Sequence, residues 1–115
     1  MAITIYHNPR CKKSRAGLHA LEKLTNEFEI KLYLKENPLT EEDLAQILQK
    51  LNKKPEEIIR KQEDVFKSNY KGKHFTDKEW IKILVENPKL IQRPVVIKDQ
   101  KAVIADPINN LQNLF

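Results

Sequence analysis

The sequence predicts one α/β domain, residues 1–115, on a mixed four-stranded sheet: βαβ, a helical segment inserted over roughly 38–88, then ββα. Three observations carry that class. A short apolar strand at the start gives way, across an Asn-Pro break, to apolar residues at helical spacing. Two capping boxes, Thr40 with Asp43 and Thr76 with Glu79, open helices in the middle of the chain. Near the end, Val95-Val96-Ile97 and Ala102-Val103-Ile104 flank the polar turn Lys98-Asp99-Gln100-Lys101, the pattern of an antiparallel hairpin.

Taken in order, Ile3, Ile5 and Tyr6 give a first strand over 2–7, which Asn8-Pro9 ends. Leu18, Leu21 and Leu24 then predict a first helix over about 11–26. Phe28 to Leu34 alternates apolar and polar residues and predicts a second strand, parallel to the first through a right-handed crossover. Behind Thr40, the stripe Leu44, Ile47, Leu48 and Leu51 predicts a second helix. Pro55 to Arg60 reads as a short helix opening on proline. Residues 61–75 show no clear period, with Val65, Phe66 and Tyr70 as anchors; long irregular connections are frequently functional. Trp80, Ile81, Ile83 and Leu84 continue the helix begun at Thr76 until Asn87-Pro88, and their spacing marks them as core. Asp106-Pro107 opens a last short helix, Ile108 to Leu114.

Composition narrows the function. Apolar residues at 40% and charged residues at 32% are those of a soluble globular protein, and no run approaches the roughly 20 apolar residues of a membrane span. The first residues run straight into strand, so no signal peptide is expected. A single cysteine excludes an intrachain disulfide, and together these point to a reducing, cytoplasmic setting. The net charge of +5 comes from lysines spread along the whole chain, the mark of a solvated surface; no nucleic-acid or membrane partner is expected. His7, His19 and His74 are scattered without metal-ligand spacing, and no metal is expected.

The chemistry concentrates in His7-Asn8-Pro9-Arg10-Cys11-Lys12-Lys13-Ser14-Arg15. Cys11 falls at or near the N-terminus of the first helix, where unpaired backbone N–H groups and the helix dipole favour thiolate over thiol. Arg10, Lys12, Lys13 and Arg15 add positive charge in the same turn, and the same features would cradle an oxyanion. A lone cysteine is otherwise most often a small buried apolar residue, which these polar flanks suit poorly. His7 has the alternative role of a satisfied strand-end histidine, Ser14 of a first-turn capping residue, and Arg15 of a solvated helix residue.

The order βαβ–helices–ββα with a cysteine after the first strand is similar to the thioredoxin fold. More specifically, His7-Asn8-Pro9-x-Cys11-x-x-Ser14-Arg15, Ile59-Arg60-Lys61 and Gln92-Arg93-Pro94-Val95-Val96 together resemble the ArsC family of glutaredoxin-dependent arsenate reductases, across essentially the whole chain. The resemblance implies that Cys11 is the nucleophile toward arsenate, that His7 helps keep it ionised, and that Ser14 and Arg15 support it. It implies that Arg60, Arg93 and Asn8 hold the oxyanion, a task that suits guanidinium forks. It further implies a cis peptide bond at Pro94, before the third strand and beside the cysteine. The chain departs from the family at Asp106, before Pro107, where the arsenate reductases carry a further arginine. A carboxylate there should weaken binding of a divalent oxyanion.

The reading that follows is a cytoplasmic monothiol oxidoreductase of the arsenate reductase type with no bound cofactor. With no second cysteine, its adduct would be resolved by glutathione as co-substrate with glutaredoxin, or by another low-molecular-weight thiol. Two alternatives stand beside it. One is a non-enzymatic regulator of the Spx type that binds RNA polymerase, although Ser14 stands where that type's Cys-x-x-Cys switch has its second thiol. The other keeps thiol-transfer chemistry on a substrate other than arsenate.

Overall fold

The computed structural model describes residues 2–115, which form two compact units. The first comprises the chain up to Pro38 together with Arg93–Phe115; the second is Leu39–Gln92.

The first unit is a four-stranded sheet with helices. Strands β1 (Ile3–Tyr6), β2 (Glu29–Lys31), β3 (Val95–Lys98) and β4 (Lys101–Ile104) lie in the order β2-β1-β3-β4. β1 pairs parallel to β2, with Ile5 opposite Ile30, and antiparallel to β3, with Ile5 opposite Val96; β3 and β4 form the hairpin. Asp99 turns that hairpin in the left-handed region, at φ 57°, a conformation Asp tolerates better than most residues. This is the thioredoxin-like arrangement.

Central strands here are apolar on the buried side, and Ile3, Ile5 and Val96 make a core with Leu21, Ala105, Leu111 and Leu114. Helix α1 (Lys12–Leu24) joins β1 to β2 and turns Ser14, Gly17 and Leu21 inward, a three-then-four spacing that lies on one face. The leucine stripe read from the sequence is therefore only partly right: Leu21 is buried, Leu18 lies beside the core, and Leu24 is exposed. The C-terminal segment Ile108–Asn113 is a 3-10 helix, with Leu111 buried.

The second strand is shorter than the alternation 28–34 predicts. The N–H groups of Lys35 and Asn37 both donate to the Leu32 carbonyl, and the Leu32 N–H donates to Asn37 Oδ1, so the chain turns where the pattern continues. β2 is also a sheet edge, which leaves its central Ile30 exposed.

The second unit is helical. α2 (Glu41–Leu51) and α4 (Asp77–Glu86) begin at Thr40 and Thr76, and both capping boxes are formed in both directions. α2 buries Leu44, Ile47, Leu48 and Leu51; α4 buries Trp80 and Leu84. Pro55–Ile58 and Pro88–Leu90 are 3-10 helices, and Ile59 bridges Ile91 between them. The irregular stretch 61–75 contains a short helix, α3 (Asp64–Asn69). Its anchors are Phe66 and Tyr70, which with Phe75 surround the Trp80 ring; Val65 is exposed and anchors nothing.

Candidate active site

The loop from β1 to α1 is a β-turn written in its residues. Asparagine and proline favour the first two turn positions, and here the Cys11 N–H donates to the Asn8 carbonyl at 3.1 Å across Pro9-Arg10. The Asn8 side chain accepts from the Arg10 N–H at 3.1 Å, a second local tie. Arg15 closes the loop from outside, donating from Nη1 to the Pro9 carbonyl at 2.9 Å. Cys11 leaves the turn in extended conformation (φ −97°, ψ 124°) and is the N-cap of α1.

An N-cap side chain faces the N–H groups of the second and third helical residues, here Lys13 and Ser14. Sulfur stands where a capping oxygen would, and neither N–H closes a capping hydrogen bond of ordinary geometry. Partial burial by itself pushes the Cys11 thiol up. The Arg93 guanidinium, through hydrogen bonding and charge, and the Ser14 and Lys13 N–H groups outweigh it, so the thiol titrates below its ordinary value.

Arg93 is brought there by the start of β3. The Arg93–Pro94 peptide bond is cis, and Pro94 is fully buried. A Cβ on Gly17 would overlap Pro94 Cγ and touch Pro94 Cδ at 3.1 Å and Ala105 Cβ at 3.4 Å. Glycine at 17 thus lets α1 close onto the proline that follows Arg93. The Asp106–Pro107 bond is also cis, a feature the sequence did not flag.

His7 and Ser14 form a buried pair, Nδ1 to Oγ at 2.7 Å, and the Asn8 N–H donates to the same Oγ at 2.9 Å. Burial first, then the charges of Arg15 and His19, lower the His7 pKa, with a Ser14 contact opposing. Ser14 acts on the sulfur through its backbone N–H, while its hydroxyl is committed to His7 and Asn8.

Of the residues singled out by sequence, His7, Asn8, Cys11, Ser14, Arg15, Arg93 and Pro94 lie in the sheet unit, around this loop and the start of β3. Arg60 belongs to the helical unit, where its Nη2 lies 3.5 Å from Glu63 Oε2 and its N–H donates to the Leu90 carbonyl. Asp106 pairs with Lys13 of the first turn of α1 at 3.2 Å, both side chains well exposed. Sequence reasoning missed Gly17 and Tyr33. Tyr33, just past β2, is 2% exposed and lies beside Arg93 within electrostatic reach of Cys11. No local pattern marked it, because its neighbours are reached only through the fold.

Comparison with known proteins agrees with the geometry. An arsenate reductase of Haemophilus influenzae is 36% identical over 109 residues, covering 93% of each chain. The solved structure of an arsenate reductase from Vibrio cholerae superposes with a TM-score of 0.91 at 29% identity, covering all of this chain and 98% of that one. The regulatory protein MgsR of Bacillus subtilis is 32% identical over 103 residues, covering 89% of this chain and 81% of its own. Fold and activated cysteine define the class: a thiol oxidoreductase scaffold of thioredoxin-like architecture. The chain belongs to the ArsC family, whose profile it matches over residues 6–113.

Proposed function

We propose that this chain is a cytoplasmic monothiol oxyanion reductase of the arsenate reductase type. The observation that carries the reading is Cys11 at the cap of α1 with Arg93 against its sulfur, a nucleophile and an anion-binding fork at one place. Arg93, with the amide of Asn8 and the first N–H groups of α1, would hold arsenate while the Cys11 thiolate displaces hydroxide from arsenic. An As–S bond forms, an As–O bond breaks, and the hydroxide takes a proton from solvent. An external thiol then attacks the Cys11 sulfur; the S–As bond breaks with its electron pair passing to arsenic, which leaves as arsenite. A further thiol reduces the mixed disulfide, so two thiols become one disulfide for each arsenic reduced. Glutathione with glutaredoxin supplies those thiols in this reading, and no resident cofactor takes part.

The test is the pH dependence of Cys11 alkylation by iodoacetamide, with and without arsenate, followed by arsenate-dependent oxidation of glutathione in the presence of glutaredoxin. Ionisation below the ordinary range, protection by arsenate and turnover are expected. A normally titrating thiol that arsenate leaves unprotected overturns the reading.

Two observations favour a second reading. The Lys13–Asp106 pair offsets a cation in the first turn of α1, and the similarity to MgsR reaches most of both chains. Under it the chain is a regulator that binds RNA polymerase, and copurification with polymerase in the absence of any oxyanion reduction would establish it. A low-pKa thiol without arsenate protection would instead favour thiol transfer on another substrate.

A further inference from the structure

Tyr33 carries the buried hydroxyl of the sheet unit that the steps above leave unused. It follows β2 by two residues, is 2% exposed, and its O–H finds no acceptor among the described residues, the Arg93 guanidinium beside it being a donor only. A buried O–H without an acceptor is costly, and such a group in a folded protein calls for one that binding can supply. The charged groups within its reach are Arg93 and Cys11. A guanidinium carries donors only, so Arg93 cannot take the phenolic proton. What remains as an acceptor is the sulfur of Cys11 or an anion seated against it.

Burial also keeps that proton in place. It pushes the Tyr33 pKa up to about 12, with Arg93 pulling the other way and Cys11 adding to the rise. The phenol is therefore a neutral donor over the whole range in which Cys11 changes charge.

We propose that Tyr33 is an anion-binding residue of the Cys11 site, its O–H donating to an oxygen of the oxyanion that the sulfur attacks. The inference rests on the oxyanion reading above. It gives the site a donor of a different kind from Arg93: fixed by burial and without charge. The ligand it fits is an oxyanion that keeps an unesterified oxygen free to accept while others meet the guanidinium fork.

The experiment measures protection of Cys11 against iodoacetamide by inorganic arsenate in the wild type and in Tyr33→Phe, which keeps the buried ring. A hydrogen bond to a charged group is worth about 1.5–3 kcal/mol, so half-protection should need about ten- to a hundredfold more arsenate in Tyr33→Phe. The melting temperature and the pH midpoint of the free thiol should stay close to wild type, which a merely structural role would not leave unmoved. Equal protection in both proteins overturns the assignment while leaving the oxyanion reading intact. Protection absent in the wild type overturns both. If Tyr33→Phe fails to fold, tyrosine ring-carbon resonances of isotopically labelled wild type decide the matter. A shift at Tyr33 on adding arsenate upholds the assignment, and an unmoved Tyr33 in a protein that arsenate protects refutes it.

Discussion

Gly17→Ala adds one methyl group at the place where α1 meets Pro94. In an open helix this change would stabilise, by about 0.5–1 kcal/mol, because glycine is the poorer helix former. Here the new Cβ overlaps Pro94 Cγ and crowds Ala105 Cβ at 3.4 Å. The obstacle is a ring tied to the backbone at both ends and fully buried, so it cannot swing away as a long side chain would. Overpacking by a methylene typically costs 1–3 kcal/mol, and an overlap this deep belongs in the upper part of that range. The steric effect wins over the helical one, leaving a net loss of about 1–2 kcal/mol. Relief must come from moving α1, Pro94 or both, and Cys11 rides on the first while Arg93 adjoins the second. The thiol should then lose part of the Arg93 contribution and titrate higher. Urea denaturation gives the stability change, and alkylation against pH gives the thiol. A variant as stable as wild type, with an unmoved thiol midpoint, would refute the claim that glycine is needed for this close approach.

The pH dependence of stability should carry the mark of His7. Its folded pKa lies below the ordinary 6.5, so the unfolded chain binds the proton more readily. The stabilisation is present above pH 6.5 and is lost as pH falls toward the folded value, at a slope of up to ~1.4 kcal/mol per pH unit. Denaturation midpoints of wild type and His7→Asn, followed from pH 8 to pH 5, should diverge in steepness below that point; parallel curves would remove His7 from the account. In the helical unit, Thr40→Ala and Thr76→Ala should each cost about 1 kcal/mol by orphaning a first-turn N–H, and serine at either position should restore most of it in urea titrations. Arg93→Met should raise the Cys11 midpoint and slow alkylation at neutral pH severalfold, while Lys12→Gln with Lys13→Gln should leave the midpoint nearly unchanged.

Local physics explains what could be read from the chain. The turn at Asn8-Pro9, the cap at Cys11 and the two capping boxes depend on residues within four positions of one another, and each formed as its residues dictate. The second strand misled because alternation reports a face and cannot see that Asn37 will pull the backbone into a turn. The short α3 went unseen because a six-residue helix held by Phe66 has no period to show. Gly17 carries no signal in the sequence, and its role appears only when Pro94, distant in sequence, arrives against it. Tyr33 was counted as a strand residue for the same reason: both of its meaningful neighbours are long-range.

The activation of Cys11 shows the same division at the level of charge. Four cations flank it in sequence, and they were expected to add to the effect of the helix N-terminus. In the folded chain none of their side-chain charges acts appreciably on the sulfur. Arg15 is turned back onto the Pro9 carbonyl, and the Lys13 ammonium faces Asp106. Lys13 contributes through its backbone N–H, which any residue but proline would supply. The guanidinium that matters comes from Arg93, far along the chain. A flanking cation on a flexible exposed stem is screened by water, whereas an arginine fixed by the strand start beside a half-buried sulfur is not. Of the two grounds for expecting a thiolate, the folded chain keeps the cap of α1, and the cation beside the sulfur is Arg93 in place of the sequence neighbours.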